Sequence, residues 1–358
     1  MDFIKPNLEL YGVPWTVDQY YGMPYQLLGR SGLRVSNVGL GTWKMGYPET
    51  GDGSRVNEKA SLEILDRAVE LGVTFWDTAN RYNNASGNSE RIIGAWIKNN
   101  PNERRNIVIA TKVFGGMDGW TPNHSRLSRL NILESVYACL GRMQTGYIDV
   151  LYFHAFDPLT PVEESLCAVE DLVRDRLVHY FAVSNFNPQQ LALYQEVEEK
   201  LSIRCRVLAV QNNFDILNGE AAGYQGTLEY AAQADITYIA WSPLALGLLT
   251  DRYLDVSQVG PGDRLYDEGV LEKSTAGQTI EKVRRLAGLA QAWDLELSQL
   301  VLAYMLTLPG MGPVIPSSTS VKQLESNAAA GKVCLSEAQC LQLQAVLADQ
   351  GTYKEKSS

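Results

Sequence analysis

The chain has 358 residues, 45% of them hydrophobic and 20% charged, and its 31 Lys and Arg against 41 Asp and Glu leave a formal net charge of −10. This composition excludes a disordered, collagen-like or low-complexity chain, and the acidic balance argues against general affinity for nucleic acid or an anionic membrane surface. No apolar run reaches the roughly 18 residues of a membrane-spanning helix and the first residues lack a secretory signal pattern, so a cytoplasmic protein is expected.

In chain order, residues 1–24 are a Tyr- and Pro-rich arm, which either packs on a neighbouring copy to give a homo-oligomer or is loosely held. Residues 25–35 read as a hairpin with a Gly-containing turn that plugs the bottom of a barrel. Strands are then predicted at 36–42, 74–77, 107–112, 148–154, 179–184, 207–211, 237–241 and 313–316. Most are unbroken apolar runs, as expected where both faces of a strand are covered. Helical periodicity fills the intervals at 58–71, 88–97, 131–143, 161–173, 188–200, 225–234 and 298–306. In the first of these, Leu62, Leu65 and Val69 share a face, and Gly72 ends it.

Eight strands with intervening helices predict an α/β fold of the (β/α)8 TIM barrel type. It is expected as a single domain with its core at about 25–330 and a C-terminal helical extension at 331–358. The Gly/Pro/Asp-rich stretch 256–269 falls outside the bare barrel, and the loop 251–277 that contains it is either a lid or a long insertion.

Cys139, Cys167, Cys205, Cys334 and Cys340 contain no C-x-x-C pair and are expected as reduced thiols. His124, His154 and His179 stand at no metal-ligand spacing, so no metal site is expected.

In such a barrel, functional groups gather at the C-terminal strand ends. Strand two ends in Asp77 and leads to Tyr82, strand three ends in Lys112, and strand four ends in His154. A tyrosine is a weak acid that needs an electrostatic partner for proton transfer. A Lys112 ammonium nearby would lower the phenol pKa, Asp77 would hold the lysine charged, and His154 would orient a substrate carbonyl. Such a set suits carbonyl reduction or alcohol oxidation. Singly, each has a plainer reading: a loop cap for Asp77, a packing aromatic for Tyr82, a solvated strand end for Lys112, a satisfied core histidine for His154. A charged lysine closing an apolar strand is the most informative, because a buried ammonium needs a partner.

From residue 25 to about 330 the sequence resembles the aldo-keto reductase family. The stretch from Gly72 through Asp77 and Tyr82, followed by Gly87-Asn-Ser-Glu90-Arg-Ile-Ile-Gly94, is similar to the family's first signature. Ile109-Ala-Thr-Lys112 and Leu151-Tyr-Phe-His154 match its lysine and histidine segments. The resemblance implies a catalytic tetrad of Asp77, Tyr82, Lys112 and His154. It also implies a nicotinamide cofactor, with Ser184, Asn185 and Gln211 at the carboxamide and Trp241 stacked on the ring, followed by Ser242, Pro243 and Leu244. Trp241 stands where most members have tyrosine and is similar to the β-subunits of voltage-gated potassium channels. Gly41, Thr42 and Trp43 fall where the family approaches the pyrophosphate, and the Gly39-to-Gly46 run does not have dinucleotide-fingerprint spacing.

Ser317, Ser318, Thr319, Gln323 and Asn327 fall in the family's adenosine-phosphate loop and helix start, a setting suited to phosphate. Many NADP-dependent members have Arg in place of Gln323 and Glu in place of Ser326, which weakens a preference for NADP. Gln323 matches the channel β-subunits, and Lys322 or Ser318 could contact a 2′-phosphate. NADP is the expected cofactor, with NAD the alternative.

The expected partner is a small-molecule carbonyl or alcohol. Trp43 and Trp120 are its candidate pocket walls, and Asp118 with Asn123 suit a hydroxylated substrate such as a sugar. The rival reading of residues 114–124 is a solvated Gly-rich loop. Two other functions compete: a nicotinamide-binding regulatory subunit with incidental turnover, and a barrel hydrolase using Asp157, Glu163 or Glu164. Those two glutamates are more simply acids favoured at a helix start.

Overall fold

The structure is a computed structural model that describes residues 18–349. Residues 1–17 of the predicted arm and 350–358 of the predicted tail lie outside the described residues. Eight parallel strands form the barrel: β1 Leu40–Gly41, β2 Phe75–Asp77, β3 Val108–Val113, β4 Ile148–Phe153, β5 Val178–Ser184, β6 Val207–Asp215, β7 Thr237–Trp241 and β8 Met311–Ile315. Neighbours in the sheet follow chain order from β1 to β8. The ring closes through backbone bonds from Gly39 N to Val314 O at 2.9 Å and from Gly41 N to Pro316 O at 3.1 Å. A Cβ at Gly41 would lie 2.8 Å from Ser317 Oγ, so a side chain there would displace that hydroxyl at the seam.

The larger helices are α1 Glu58–Glu70, α2 Asn88–Asn99, α3 Arg129–Met143, α4 Val162–Arg174, α5 Pro188–Leu201, α6 Thr227–Gln233, α7 Gly277–Ala292, α8 Leu297–Met305, α9 Val321–Ala330 and α10 Glu337–Ala348. Their starts are set locally: Asn57 accepts from Ala60 N at 3.0 Å to cap α1, and Asn187 with Gln190 closes a reciprocal capping box on α5. α7 and α10 pack on each other.

The two-residue period of the strands divides the core. Phe75, Ala110, Val150, Tyr152, Ala182 and Ile239 fill the barrel interior, whereas Ile109, Val113, Leu151 and Val183 belong to the layer between strands and helices. Gln19–Tyr20, Met23–Leu27 and Arg34–Ser36 make an antiparallel three-stranded sheet beneath the barrel. Its Leu28 and Val35 join the interior cluster. Gly29 N donates to Thr237 Oγ1 at 2.7 Å, and a Cβ at Gly29 would come within 2.3 Å of Leu208 O. The expected plug is therefore present, seated against the N-terminal ends of β6 and β7.

Three boundaries differ from expectation. The predicted strand 36–42 contributes only Leu40–Gly41 to the barrel, because Arg34–Ser36 pairs with Met23–Leu27 in the plug. β6 runs past Gln211 to Asp215, where Phe214 and Asp215 pair with the short strand Gly219–Glu220. The loop after β7 carries only short helical turns such as Arg264–Asp267 and Leu271–Ser274, and the long helix α7 that succeeds it was not among the predicted elements.

Candidate functional site

Alternation along β3 points Ala110 and Lys112 into the barrel, and at the C-terminal rim Lys112 meets the end of β2. Lys112 Nζ donates to both carboxylate oxygens of Asp77, to Thr78 O at 3.0 Å and to Tyr82 Oη at 2.7 Å. All three ammonium protons are thus engaged, which a lysine only 1% exposed requires. Gln211 Nε2 donates to the two Asp77 oxygens at 3.2 and 3.3 Å, so the carboxylate is held from two sides.

The segment after β2 holds Tyr82 in place. Asn83, Asn84 and Ala85 all have left-handed φ, at 55°, 57° and 60°, a conformation that asparagine tolerates better than most residues. The turn is tied down by Asn83 Nδ2 donating to Met45 O at 2.7 Å. The ring of Tyr82 lies edge-on to His154 with centroids 6.1 Å apart.

Electrostatically, burial pushes Asp77 up and Lys112 down, and each opposes the other's shift through their ion pair. Burial and the Asp77 charge push the Tyr82 phenol above its ordinary value. The expected lowering by Lys112 is thus corrected: burial and the Asp77 charge make the net shift upward, and Tyr82 is a protonated phenol at neutral pH. Burial, then Lys112 and Arg81, lower the His154 imidazole to about 3, which makes it a neutral hydrogen-bonding ring.

These groups open into a cavity of about 790 Å³ that extends from Asp77, Tyr82 and His154 past Trp241 to Asn327. Ser184 Oγ donates to Gln211 O at 2.8 Å, Asn185 Nδ2 donates to His154 O at 2.8 Å, and Trp241 Nε1 donates to Asn185 Oδ1 at 3.4 Å. Asn185 and Ser242 have left-handed φ, both 59°, just beyond the ends of β5 and β7. Gly41, Trp43, Ser242, Pro243, Leu244, Ser317, Thr319 and Gln323 also line the cavity. Gln323 Oε1 accepts from Thr319 N at 2.8 Å and from its Oγ1 at 3.0 Å, closing the turn that starts α9.

Three expected residues lie elsewhere. Thr42 is buried, its hydroxyl donating to Asp77 O at 2.9 Å and paired with Ser89 Oγ at 2.6 Å, so it supports the floor rather than facing the cavity. Ser318 is buried and accepts from Asn327 Nδ2 at 3.1 Å. Trp120 stands fully exposed outside the cavity, because Asp118 on the same loop is drawn to Arg142 at 2.6 Å.

Other lining residues were not singled out from the sequence. Arg252 and Arg264 come from the long loop after β7, and Lys44, Arg55 and Glu296 from other elements. Arg252 forms two bonds to Asp263, at 2.6 and 2.5 Å, and Arg55 pairs with Asp267 at 3.0 Å, which folds that loop over the cavity as the lid reading required. Lys44 Nζ and the Arg264 guanidinium stand over the Trp43 ring at 3.9 and 4.9 Å. For the four cations among them the sequence signal is a set of basic residues in irregular segments.

A model of the aldo/keto reductase family matches residues 37–348. The chain is 33% identical over 303 residues to aldo-keto reductase AFTS1 of Alternaria alternata, covering 78% of this chain and 80% of that protein. It is 31% identical over 314 residues to a putative voltage-gated potassium channel subunit beta of Schizosaccharomyces pombe, covering 85% and 87%. A probable subunit of the same kind from Oryza sativa subsp. japonica is 29% identical over 309 residues, covering 85% and 90%.

Proposed function

Because the chain belongs to the aldo/keto reductase family, whose members carry out nicotinamide-dependent oxidoreduction, we propose that it reduces an aldehyde or ketone with NADPH and oxidises the alcohol in reverse. NAD is the second choice of cofactor. The observation that carries this reading is the Lys112 ammonium, buried, held by Asp77 and aimed at Tyr82 Oη 2.7 Å away.

The cavity fits a nicotinamide dinucleotide by the chemistry of its lining. Amides at Asn185 and Gln211 and the exposed face of Trp241 suit the nicotinamide, and the N-terminus of α9 suits phosphate. Ser317, Thr319, Gln323 and Asn327 would hold the adenosine end, with Arg252, Arg264, Lys44 and Lys322 answering its negative charge. When bound, the cofactor supplies or accepts the hydride.

Everything else is done by the chain's own groups. Tyr82 gives its proton to the substrate oxygen, and the Lys112 ammonium, already donating to Tyr82 Oη, stabilises the phenolate that remains. Asp77 keeps Lys112 charged and fixed. His154, neutral at physiological pH, donates a hydrogen bond to the same substrate oxygen. Trp43 walls the substrate space.

Titration of the intrinsic tryptophan fluorescence with NADPH and NADH, followed by nucleotide consumption with a panel of aldehydes, tests this reading. Saturable quenching, tighter for NADPH, with aldehyde-dependent oxidation is expected. Tighter NADH binding would replace the cofactor choice, and no binding of either would overturn the reading.

The similarity to proteins named as potassium channel subunits favours one alternative, a nicotinamide-holding regulatory subunit with incidental turnover. Cofactor retained through gel filtration and not released on adding carbonyl compounds would support it.

A further inference from the structure

Tyr152 is a buried titratable group that none of the steps above uses. In the ladder between β3 and β4 it stands directly opposite Lys112, and in the ladder between β4 and β5 it stands opposite Ala182. Residues paired in this way point to the same face, so the phenol joins the layer of the barrel interior that carries the ammonium. The small Ala182 leaves room for its ring. Lys112 Nζ stands 5.6 Å from the centroid of the Tyr152 ring and 4.9 Å from that of Tyr82, so the ammonium lies between two phenols. It bonds the hydroxyl of Tyr82 and faces only the ring of Tyr152.

Packing accounts for the ring of Tyr152 but not for its hydroxyl. The residue is fully buried, and Oη has no hydrogen-bond partner among the described residues. An unpaired buried hydroxyl costs stability, and phenylalanine would fill the same space without that cost. Burial, and then the Asp77 charge, hold the phenol well above its ordinary value, with the Gln211 amide acting against them. Tyr152 is therefore a protonated phenol with a free donor on the Asp77–Gln211 side of the ion pair. That side is weakly held. Gln211 Nε2 reaches the Asp77 oxygens only at 3.2 and 3.3 Å, whereas charge-assisted bonds lie at about 2.7–2.9 Å. Asp77 thus depends on Lys112, and Lys112 is shared with Tyr82.

We propose that Tyr152 is a positioning residue for the proton transfer, its hydroxyl donating to Asp77 at the moment Tyr82 gives up its proton. As the phenolate forms, the Lys112 ammonium is drawn toward it and its hold on Asp77 slackens. The free Tyr152 donor then takes up the carboxylate from below, which keeps Asp77 charged and Lys112 seated under Tyr82. The bond is made in the transition state and not in the resting protein, so it lowers the barrier without tightening the ground state. The inference rests on the carbonyl-reductase reading above.

Tyr152→Phe tests this, since it keeps the ring and removes only the hydroxyl. In the nucleotide-free protein, chemical denaturation is expected to show stability unchanged or slightly raised, because the hydroxyl has no partner to lose. With NADPH and the fastest aldehyde of the panel above, kcat and kcat/KM are expected to fall together, on the order of 10-fold, the scale of one hydrogen bond to a charged group. KM for the aldehyde and nucleotide quenching of tryptophan fluorescence should stay the same. The solvent deuterium isotope effect on kcat should rise, as proton transfer from Tyr82 becomes slower.

Unchanged kcat in Tyr152→Phe, or a fall in kcat accompanied by lost stability of the nucleotide-free protein, overturns the role of Tyr152 and leaves the reductase reading standing. A wild type that reduces no aldehyde of the panel overturns that reading and this inference together.

Discussion

Adjacent residues of β3 meet two buried ion pairs of opposite purpose, Lys112 as a member of one and Thr111 as a neutral donor to the other. Lys112 faces into the barrel and pairs with Asp77. Thr111 faces outward and donates at 2.6 Å to Glu90, which is bound at 2.6 Å by Arg142 of α3. The outer pair is closed: Arg142 bonds Glu90 and Asp118, so its charge is spent joining α2, α3 and the loop after β3. The inner pair is open on one side, since Lys112 spends its third proton on a phenol that faces the cavity. A fork-shaped guanidinium suits fixed cross-links, whereas a single ammonium can serve a carboxylate and a reacting group together. Burial of a charge does not by itself mark chemistry; an exit toward a cavity does.

The largest effect should come from breaking the open side. Tyr82→Phe is expected to lower kcat by about 10²–10⁴-fold while nucleotide quenching of tryptophan fluorescence stays unchanged, since the phenol moves a proton and does not hold the cofactor. Loss of nucleotide binding in this variant would place Tyr82 in the cofactor site instead. Breaking the closed pair should cost stability rather than chemistry. Arg142→Met leaves Glu90 buried and uncompensated, and chemical denaturation should show a loss of about 3–5 kcal/mol, partly recovered by adding Glu90→Gln. A stable Arg142→Met with collapsed kcat would erase the distinction between the pairs.

A smaller effect concerns pH. The folded His154 value of about 3 lies below its ordinary 6.5, so the unfolded chain binds more protons between them. Stability is therefore full above about 6.5 and is lost as pH falls toward about 3, and His154→Gln should flatten that part of a Tm-against-pH curve. For the same reason kcat/KM should show no imidazole ionisation near 6.5; a limb there that His154→Gln abolishes would mean the ring titrates normally. The smallest effect belongs to Trp120→Ala, expected to leave kcat, KM and stability unchanged because the ring is fully exposed. A rise in KM would bring the loop back to the substrate.

Much of the fold and of the candidate site is legible in the sequence for a definable reason. Strands such as β4 and β7 are continuous apolar runs between turn residues, and Asp77, Tyr82, Lys112 and His154 sit at or near strand ends, where a parallel barrel must expose them. Trp120 misled because an aromatic in a loop looks the same in sequence whether it faces a pocket or solvent; Asp118 reaching Arg142 decided between them. Thr42 and Ser318 misled because a hydroxyl near a cofactor motif is as able to brace the floor as to line it.

By itself the sequence determined the strand–helix alternation, hence the parallel barrel, and the residue types at its rim, because period and turn chemistry are local properties. Only the tertiary structure decided the direction of the Tyr82 shift, the neutrality of His154 and the closure of the loop after β7. Each of these depends on desolvation or on a partner far away in the chain, and neither is encoded in the spacing of neighbouring residues.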